Sequence, residues 1–170
     1  MLYLLDANVL ITAHNLYYPV GSVPEFWSWL CHMGGLGRIK IPLEIYEEVK
    51  DGSTDEAKDL LFGWVKDDAV KAALLLPDEA DPHLVAQVVN QGYASDLTDE
   101  EVEQIGRDPF LIAYGLASAA ERCVVTTEVS KPKRVRQNRH VPDVCASLGV
   151  NCCDTFAMLR ALQFSTAWKP

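Results

Sequence analysis

The chain has 170 residues, 49% of them apolar and 23% charged, with a formal net charge of −9. That size suits one domain burying about two thirds of its unfolded surface, and the composition is that of an ordinary globular protein. No apolar stretch approaches the roughly 18 residues of a membrane span, and Asp6 interrupts the first apolar run with no basic segment before it, which argues against a signal peptide and for a cytoplasmic address.

Leu2 to Leu5 is a short apolar run suited to a strand buried on both faces. After Asp6, apolar residues at 7, 9, 10, 11 and 13 predict a helix from Ala7 to Asn15, closed by Tyr17-Tyr18-Pro19. Ser22 is placed to cap the next helix, which holds Phe26, Trp27, Trp29 and Leu30 and breaks at Gly34-Gly35. Arg38 to Ile41 reads as a second strand, and Pro42 fits the first turn of a helix ending at Lys50-Asp51-Gly52. Ser53 with Glu56 forms a capping-box signature for a helix over Asp55 to Lys66. Ala72 to Leu76 reads as a third, weaker strand.

Asp81-Pro82 opens a helix to about Tyr93, and Thr98 with Glu101 is a second capping box, before a short helix. Asp108-Pro109 begins the helix Pro109 to Ala120, with Phe110, Leu111, Ala113, Tyr114 and Ala117 on its apolar side. Cys123 to Thr126 is a fourth strand. A short helix near Pro142 to Leu148, a fifth strand from Val150 to Cys153 and a helix from Thr155 to Gln163 capped by Asp154 complete the chain. Strands alternating with helices predict an α/β fold, a mostly parallel sheet of four to five strands covered on both faces, as one domain over 1–170.

Charge and cysteine usage add two constraints. Residues 44–103 hold 17 acids against 4 lysines, while Lys131, Lys133, Arg134, Arg136 and Arg139 lie in a stretch with no acid from 129 to 142. Five cysteines without C-x-x-C spacing imply reduced thiols, and Cys31-His32 has no second pair to complete a zinc site.

Four acids fall where such a sheet would gather them: Asp6 after the first strand, Glu48 in the helix after the second, Asp108 opening its helix, and Glu128 after Val124-Val125-Thr126-Thr127. Ligands of open α/β sheets bind outside the carboxyl ends of the strands. Carboxylates crowded there repel one another, and a divalent cation with oxygen ligands relieves them and points to phosphate chemistry. Each acid also has an ordinary reading. Asp6 and Asp108 suit helix capping, Glu44 and Glu47 a solvated face, and Glu128 an exposed turn, whereas Glu48 is placed for burial beside Val49 and Ile45. Asn8 either orients a metal-bound water or closes an Asx turn.

The segment Leu5-Asp6-Ala7-Asn8-Val9-Leu10-Ile11 resembles the opening motif of PIN-domain ribonucleases, the family of VapC-type toxins. Pro42 to Val49, with Glu48 before an aliphatic residue, is similar to their second acidic motif, Asp108-Pro109-Phe110-Leu111-Ile112-Ala113 to their third, and Val124-Val125-Thr126-Thr127-Glu128 to their fourth. The resemblance implies a PIN-like three-layer fold, Mg²⁺ or Mn²⁺ held by Asp6, Glu48 and Asp108, a catalytic role for these three with Glu128, and supporting roles for Asn8 and Thr126. It further implies cleavage of single-stranded RNA, a toxin role with a co-encoded antitoxin, and a homodimer. Glu128 stands where many members carry Asp, so its longer side chain suits contact through a water. About sixty residues, many acidic, separate Glu48 from Asp108, as in a subgroup with its own partner.

Hydrolysis at such a site uses water and not the 2′-OH, so products carry 5′-phosphate and 3′-hydroxyl ends. The loop from Lys131 to His140 follows Glu128 and suits phosphate contacts, or else is a solvated loop. Tyr17, Tyr18 and Trp27 suit base stacking or, as commonly, the core. A phosphatase with Asp6 as nucleophile is disfavoured because Asn8 stands where a second acid is wanted. A catalytically inactive PIN-like interaction module, using its acidic region to bind a basic partner, is the non-enzymatic alternative.

Overall fold

The computed structural model describes residues 1–51 and 59–169. Four short strands, β1 (Leu2–Leu5), β2 (Ile39–Lys40), β3 (Arg122–Val125) and β4 (Asn151–Cys153), form one sheet in the spatial order β2-β1-β3-β4. Every pairing is parallel, and β1 lies against β3 in register from Leu2↔Arg122 to Leu5↔Val125. Leu4, Leu5, Ile39, Val124 and Val125 expose no surface, as strands covered on both faces require.

From β1 the chain enters α1 (Ala7–Thr12), which continues as a π-helical turn over Ala13–Tyr17, and then α2 (Pro24–Gly35). Between β2 and β3 come α3 (Leu43–Asp51), α4 (Leu60–Lys66), α5 (Asp68–Leu74), α6 (Pro82–Gln87) with a π-helical turn over Val88–Tyr93, α7 (Asp99–Ile105) and α8 (Asp108–Leu116). Helix α9 (Val141–Leu148) joins β3 to β4, and α10 (Thr155–Ala161) follows β4. The first crossover runs to one side of β1 and the later ones to the other. Right-handed connections therefore place α1 and α2 on one face and α8 and α9 on the opposite face. The result is the three-layer α/β arrangement expected. The strand order reverses between β1 and β3, so the crevice lies at Leu5 and Val125.

Local signals set most helix starts. Thr98 and Glu101 form a complete capping box on α7, and the Asp81 and Asp154 carboxylates accept backbone N–H bonds at the starts of α6 and α10. Other expectations need correction. Ala72 to Leu76 is not a strand: Asp67 accepts from Ala69 and Val70 N–H and starts α5, whose Val70 and Leu74 share a buried face, and only an isolated parallel bridge joins Ile41 to Leu75. Val23, not Ser22, precedes α2, whose Pro24 fixes the first turn without a side-chain cap. Helix α8 ends at Leu116, short of Ala120. The Ser53–Glu56 capping box lies outside the described residues; Asp59 caps α4 through Leu61 and Phe62 N–H.

An aromatic cluster locks α2 in place. Tyr18 stacks on Phe26 at 4.4 Å, Trp27 meets Trp64 at 4.6 Å, and the Trp27 indole N–H donates to the Tyr18 carbonyl at 2.7 Å. Close backbone approach matters at two glycines. A Cβ on Gly115 of α8 would lie 2.7 Å from Val150 Cγ1 and 3.0 Å from Val124 Cγ2, so glycine lets the helix carrying Asp108 sit directly on the sheet. A Cβ on Gly34 of α2 would lie 2.6 Å from the Ala73 carbonyl oxygen, which cannot rotate away. Gly34→Ala should therefore cost about 1–3 kcal/mol as overpacking. The neighbouring Gly35→Ala, where a Cβ meets nothing within 4 Å, should cost nothing. Paired urea denaturation curves of the two variants check this.

Candidate active site

At the reversal point, Asp6 follows β1 and Thr126 follows β3, and the parallel register forces them together. Asp6 is buried, 4% exposed, with its backbone N–H bonded to the Val125 carbonyl at 2.9 Å. Its Oδ2 accepts from the Thr126 hydroxyl at 2.7 Å and from Asn8 Nδ2 at 2.6 Å. Asn8 Oδ1 in turn accepts the Thr127 N–H at 2.9 Å, so one amide ties both strand ends. Both of these side-chain bonds to Asp6 fall on Oδ2. Helix capping is not the role of Asp6, because its side chain makes no capping bond to α1. Asn8 and Thr126, the two residues expected to support Asp6, both touch it.

Asp108 also does not cap. Arg107 takes the position before α8, and Asp108 is its first helical residue, with no hydrogen bond from the described residues to its carboxylate. Burial pushes its pKa up to about 8, with Asp6, Glu128 and Glu48 each raising it further. Burial likewise pushes Asp6 up to about 6, the Thr126 hydrogen bond opposing the rise and Glu48 and Glu128 adding to it. All four predicted acids therefore share one field. The expected burial of Glu48 does not hold: its side chain is exposed at the mouth, where partial desolvation still raises its pKa and Arg107 opposes the rise. Glu44 is the more enclosed acid, because Arg107 and Tyr114 of α8 close over the start of α3, leaving Glu44 Oε2 buried without a hydrogen bond.

Glu128 uses Oε2 to accept the Val141 N–H at 2.8 Å, which ties β3's exit to the start of α9. Two further residues at the site carry no clear mark in the sequence. Arg107 donates to the Glu44 carbonyl and to Asp51 Oδ2 at 3.0 Å, pinning α3 to α8; its position just before Asp108 is the only signal of it. Tyr93 has a buried hydroxyl without a partner, and burial, Asp108 and Glu128 all hold it protonated. No pattern in the sequence marks it.

The basic loop is divided. Arg136 binds Asp96 Oδ1 at 2.7 Å and Glu101 Oε2 at 2.6 Å, and Arg139 donates to the Gly92 and Asp143 carbonyls. Lys131, Lys133 and Arg134 are exposed, with no side-chain partner among the described residues. Of the aromatics considered for stacking, Tyr18 and Trp27 belong to the core, and Tyr17 is 46% exposed.

Carboxylate oxygens are hard donors that suit Mg²⁺ or Mn²⁺, and their mutual repulsion is what a cation would remove. Among the described residues, no three His, Cys, Asp or Glu side chains are already gathered as a ligand set. An acid whose pKa is raised in the fold binds more protons folded than unfolded, so its stabilising effect is full below 3.8 and is lost as pH rises through the folded value. In EDTA, stability should fall from about pH 4 to about pH 8, Asp6 acting up to about 6 and Asp108 up to about 8. Asp108→Asn should raise the melting temperature at pH 8 by roughly 5 °C, reflecting about 2 kcal/mol from no longer burying a charge and from relieved repulsion. Mn²⁺ should stabilise the wild type at pH 8 and leave Asp108→Asn unchanged. Thermal melts across pH, with and without Mn²⁺, measure both effects.

No curated protein and no solved structure matches the chain. A family model described as a domain of unknown function, DUF4411, matches residues 3–166. That span takes in the four acids, the hydrogen bonds that fix Asp6 and all the described helices, and the chain belongs to the DUF4411 family.

Proposed function

We propose that this chain is a metal-dependent endoribonuclease that hydrolyses single-stranded RNA and acts in the cytoplasm as the toxin of a toxin–antitoxin pair. The observation that carries the reading is the placement of Asp6, Asp108 and Glu128 about the sheet's reversal point, where burial pushes the Asp108 pKa up to about 8 and Asp6, Glu128 and Glu48 add to the rise. The toxin role, the co-encoded antitoxin and a homodimer are supported by the resemblance of the four acidic motifs to PIN-domain ribonucleases. Among the described residues no helix is long and apolar enough to cross a membrane.

Asp6, Glu48 and Asp108 would hold Mg²⁺ or Mn²⁺, which supplies Lewis acidity toward a phosphodiester and toward water. The protein's own residues do the positioning. Thr126 and Asn8 hold the Asp6 carboxylate through its Oδ2. Burial and the neighbouring acids push Asp108 up to about 8, so its ionisation would accompany cation binding. Glu128, tied to Val141, contributes charge rather than a mobile ligand. Lys131, Lys133 and Arg134 would meet RNA phosphates, whereas Arg136 and Arg139 keep the loop in shape.

One observation favours the second reading, an inactive interaction module: the acids are not gathered as a ligand set among the described residues. Activity separates the two. Purified protein should cleave single-stranded RNA in Mg²⁺ or Mn²⁺, leaving 5′-phosphate ends, and EDTA should stop it. Asp108→Ala should lower kcat/KM by roughly 10²-fold or more. Lys133→Glu with Arg134→Glu should weaken RNA binding, and the slope of log affinity against log salt should flatten by roughly 0.7 for each phosphate no longer neutralised. Cleavage that persists in EDTA rejects the metal reading.

A further inference from the structure

We infer that the cavity between the π-helical end of α1 and the start of α10 is a nucleobase pocket, taking one base of a single-stranded nucleic acid beside the acid cluster. The inference rests on the nuclease reading and names what that site would recognise. The cavity has a volume of about 180 Å³ and is lined by Thr12, Tyr17, Thr127, Asp154, Thr155 and Phe156. It is smaller than the roughly 300 Å³ at which sites for drug-sized ligands begin, so it suits a single planar ring system.

Its position ties it to the acids. Thr127 lines the cavity, and its N–H is held by Asn8, the residue that also holds Asp6. A second cavity of about 270 Å³ shares Thr127 and Asp154 as lining residues and reaches Glu128. A strand crossing the acid cluster would therefore have room for bases on this flank.

The walls fit a base better than a phosphate or an apolar side chain. Tyr17 and Phe156 are 46% and 41% exposed and meet edge to face, with ring centroids 5.1 Å apart, so they offer aromatic surface that the core does not use. None of the six lining residues is a cation, and Asp154 would repel a phosphate. The polar groups present want a partner. Thr155 is 5% exposed, and its Oγ1 is buried with no hydrogen-bond partner, a state that carries a desolvation cost. Asp154 uses Oδ1 to accept the Ala157 N–H at 2.7 Å, and Oδ2 receives no hydrogen bond from the described residues. A planar ring bearing a donor at its edge would stack on the aromatic walls and offer that donor to Asp154 Oδ2. An exocyclic amino group is the donor that a carboxylate accepts best, so adenine, cytosine and guanine are favoured over uracil.

The test is binding of fluorescein-labelled tetranucleotides by anisotropy, with Ca²⁺ in place of Mg²⁺. The probes are tetra-adenylate, tetra-uridylate and an abasic tetramer. Phe156→Ala should weaken tetra-adenylate binding roughly tenfold and leave the abasic tetramer unchanged. Asp154→Asn, which keeps an oxygen to accept the Ala157 N–H, should narrow the preference for adenylate over uridylate. Equal binding of abasic and base-bearing tetramers by the wild type overturns the pocket and leaves the aromatic pair to a protein partner. A wild type that binds in a base-dependent way but never cleaves RNA sinks the nuclease reading and keeps the pocket. Mg²⁺-dependent cleavage indifferent to Phe156 and to base identity does the reverse.

Discussion

The parallel pairing of β1 with β3 sets the geometry of everything at the candidate site. In a parallel ladder both strands end on the same edge, so Asp6 and Thr126, though 120 positions apart in sequence, meet at 2.7 Å. Asn8 then closes the gap with bonds to Asp6 and to the Thr127 N–H, and the buried carboxylate is held in one rotamer. Asp108 and Glu128 bring like charge to the same edge, and a pKa moved by one unit corresponds to about 1.4 kcal/mol of differential interaction. Such a cluster opposes folding when fully ionised. The apolar core tolerates it, and a proton or a cation relieves it. That is the physical reason to read these acids as a site and not as ordinary solvated carboxylates.

Legibility in the sequence follows the range of the interaction concerned. β1, β3 and β4 are visible because short apolar runs bounded by turns admit few other structures when the chain alternates with helices. The starts of α6, α7 and α10 are visible because Asp81, Thr98 with Glu101, and Asp154 act on N–H groups within three residues. Ala72 to Leu76 misleads because five apolar residues look the same in a helix and in a buried strand. The deciding signal is Asp67, which caps a helix ending only at Leu74. Asp108 before Pro109 has the sequence of a cap and does not act as one. Arg107 occupies that position, and the buried carboxyl lies in the field of the other acids instead.

The charge asymmetry is legible as a fact and misleading as a surface map. Part of the basic loop answers part of the acidic segment inside the molecule. Arg136 spans Asp96 and Glu101, and Glu101 simultaneously closes the capping box of α7; the Arg136 bond first and the Thr98 N–H second hold its carboxyl well down, to about 2. Arg136 also adopts a left-handed backbone, φ 55°, a conformation that non-glycine residues hold only when their surroundings fix it. Its two acidic partners supply that constraint. Sequence alone does not separate such an arginine from the neighbouring Lys133 and Arg134, because the pairing partners lie about 35 to 40 positions away.

This division connects the loop to the acid cluster mechanically. Arg139 donates to the carbonyls of Gly92 and Asp143, and so joins the π-helical turn after α6 to α9. That turn carries Tyr93, whose buried hydroxyl lies in the field of Asp108 and Glu128. Helix α9 begins at Val141, whose N–H holds Glu128. A loop with the composition of a free phosphate-binding arm is therefore anchored through Arg136 and Arg139 to the elements that border the acids, with Lys131, Lys133 and Arg134 left at its exposed rim. Neutralising the anchoring arginines would disturb the acid pocket through Tyr93 and Glu128. Neutralising the rim cations would change only what approaches it, so the two groups of positive charge are physically distinct despite lying within ten residues of one another.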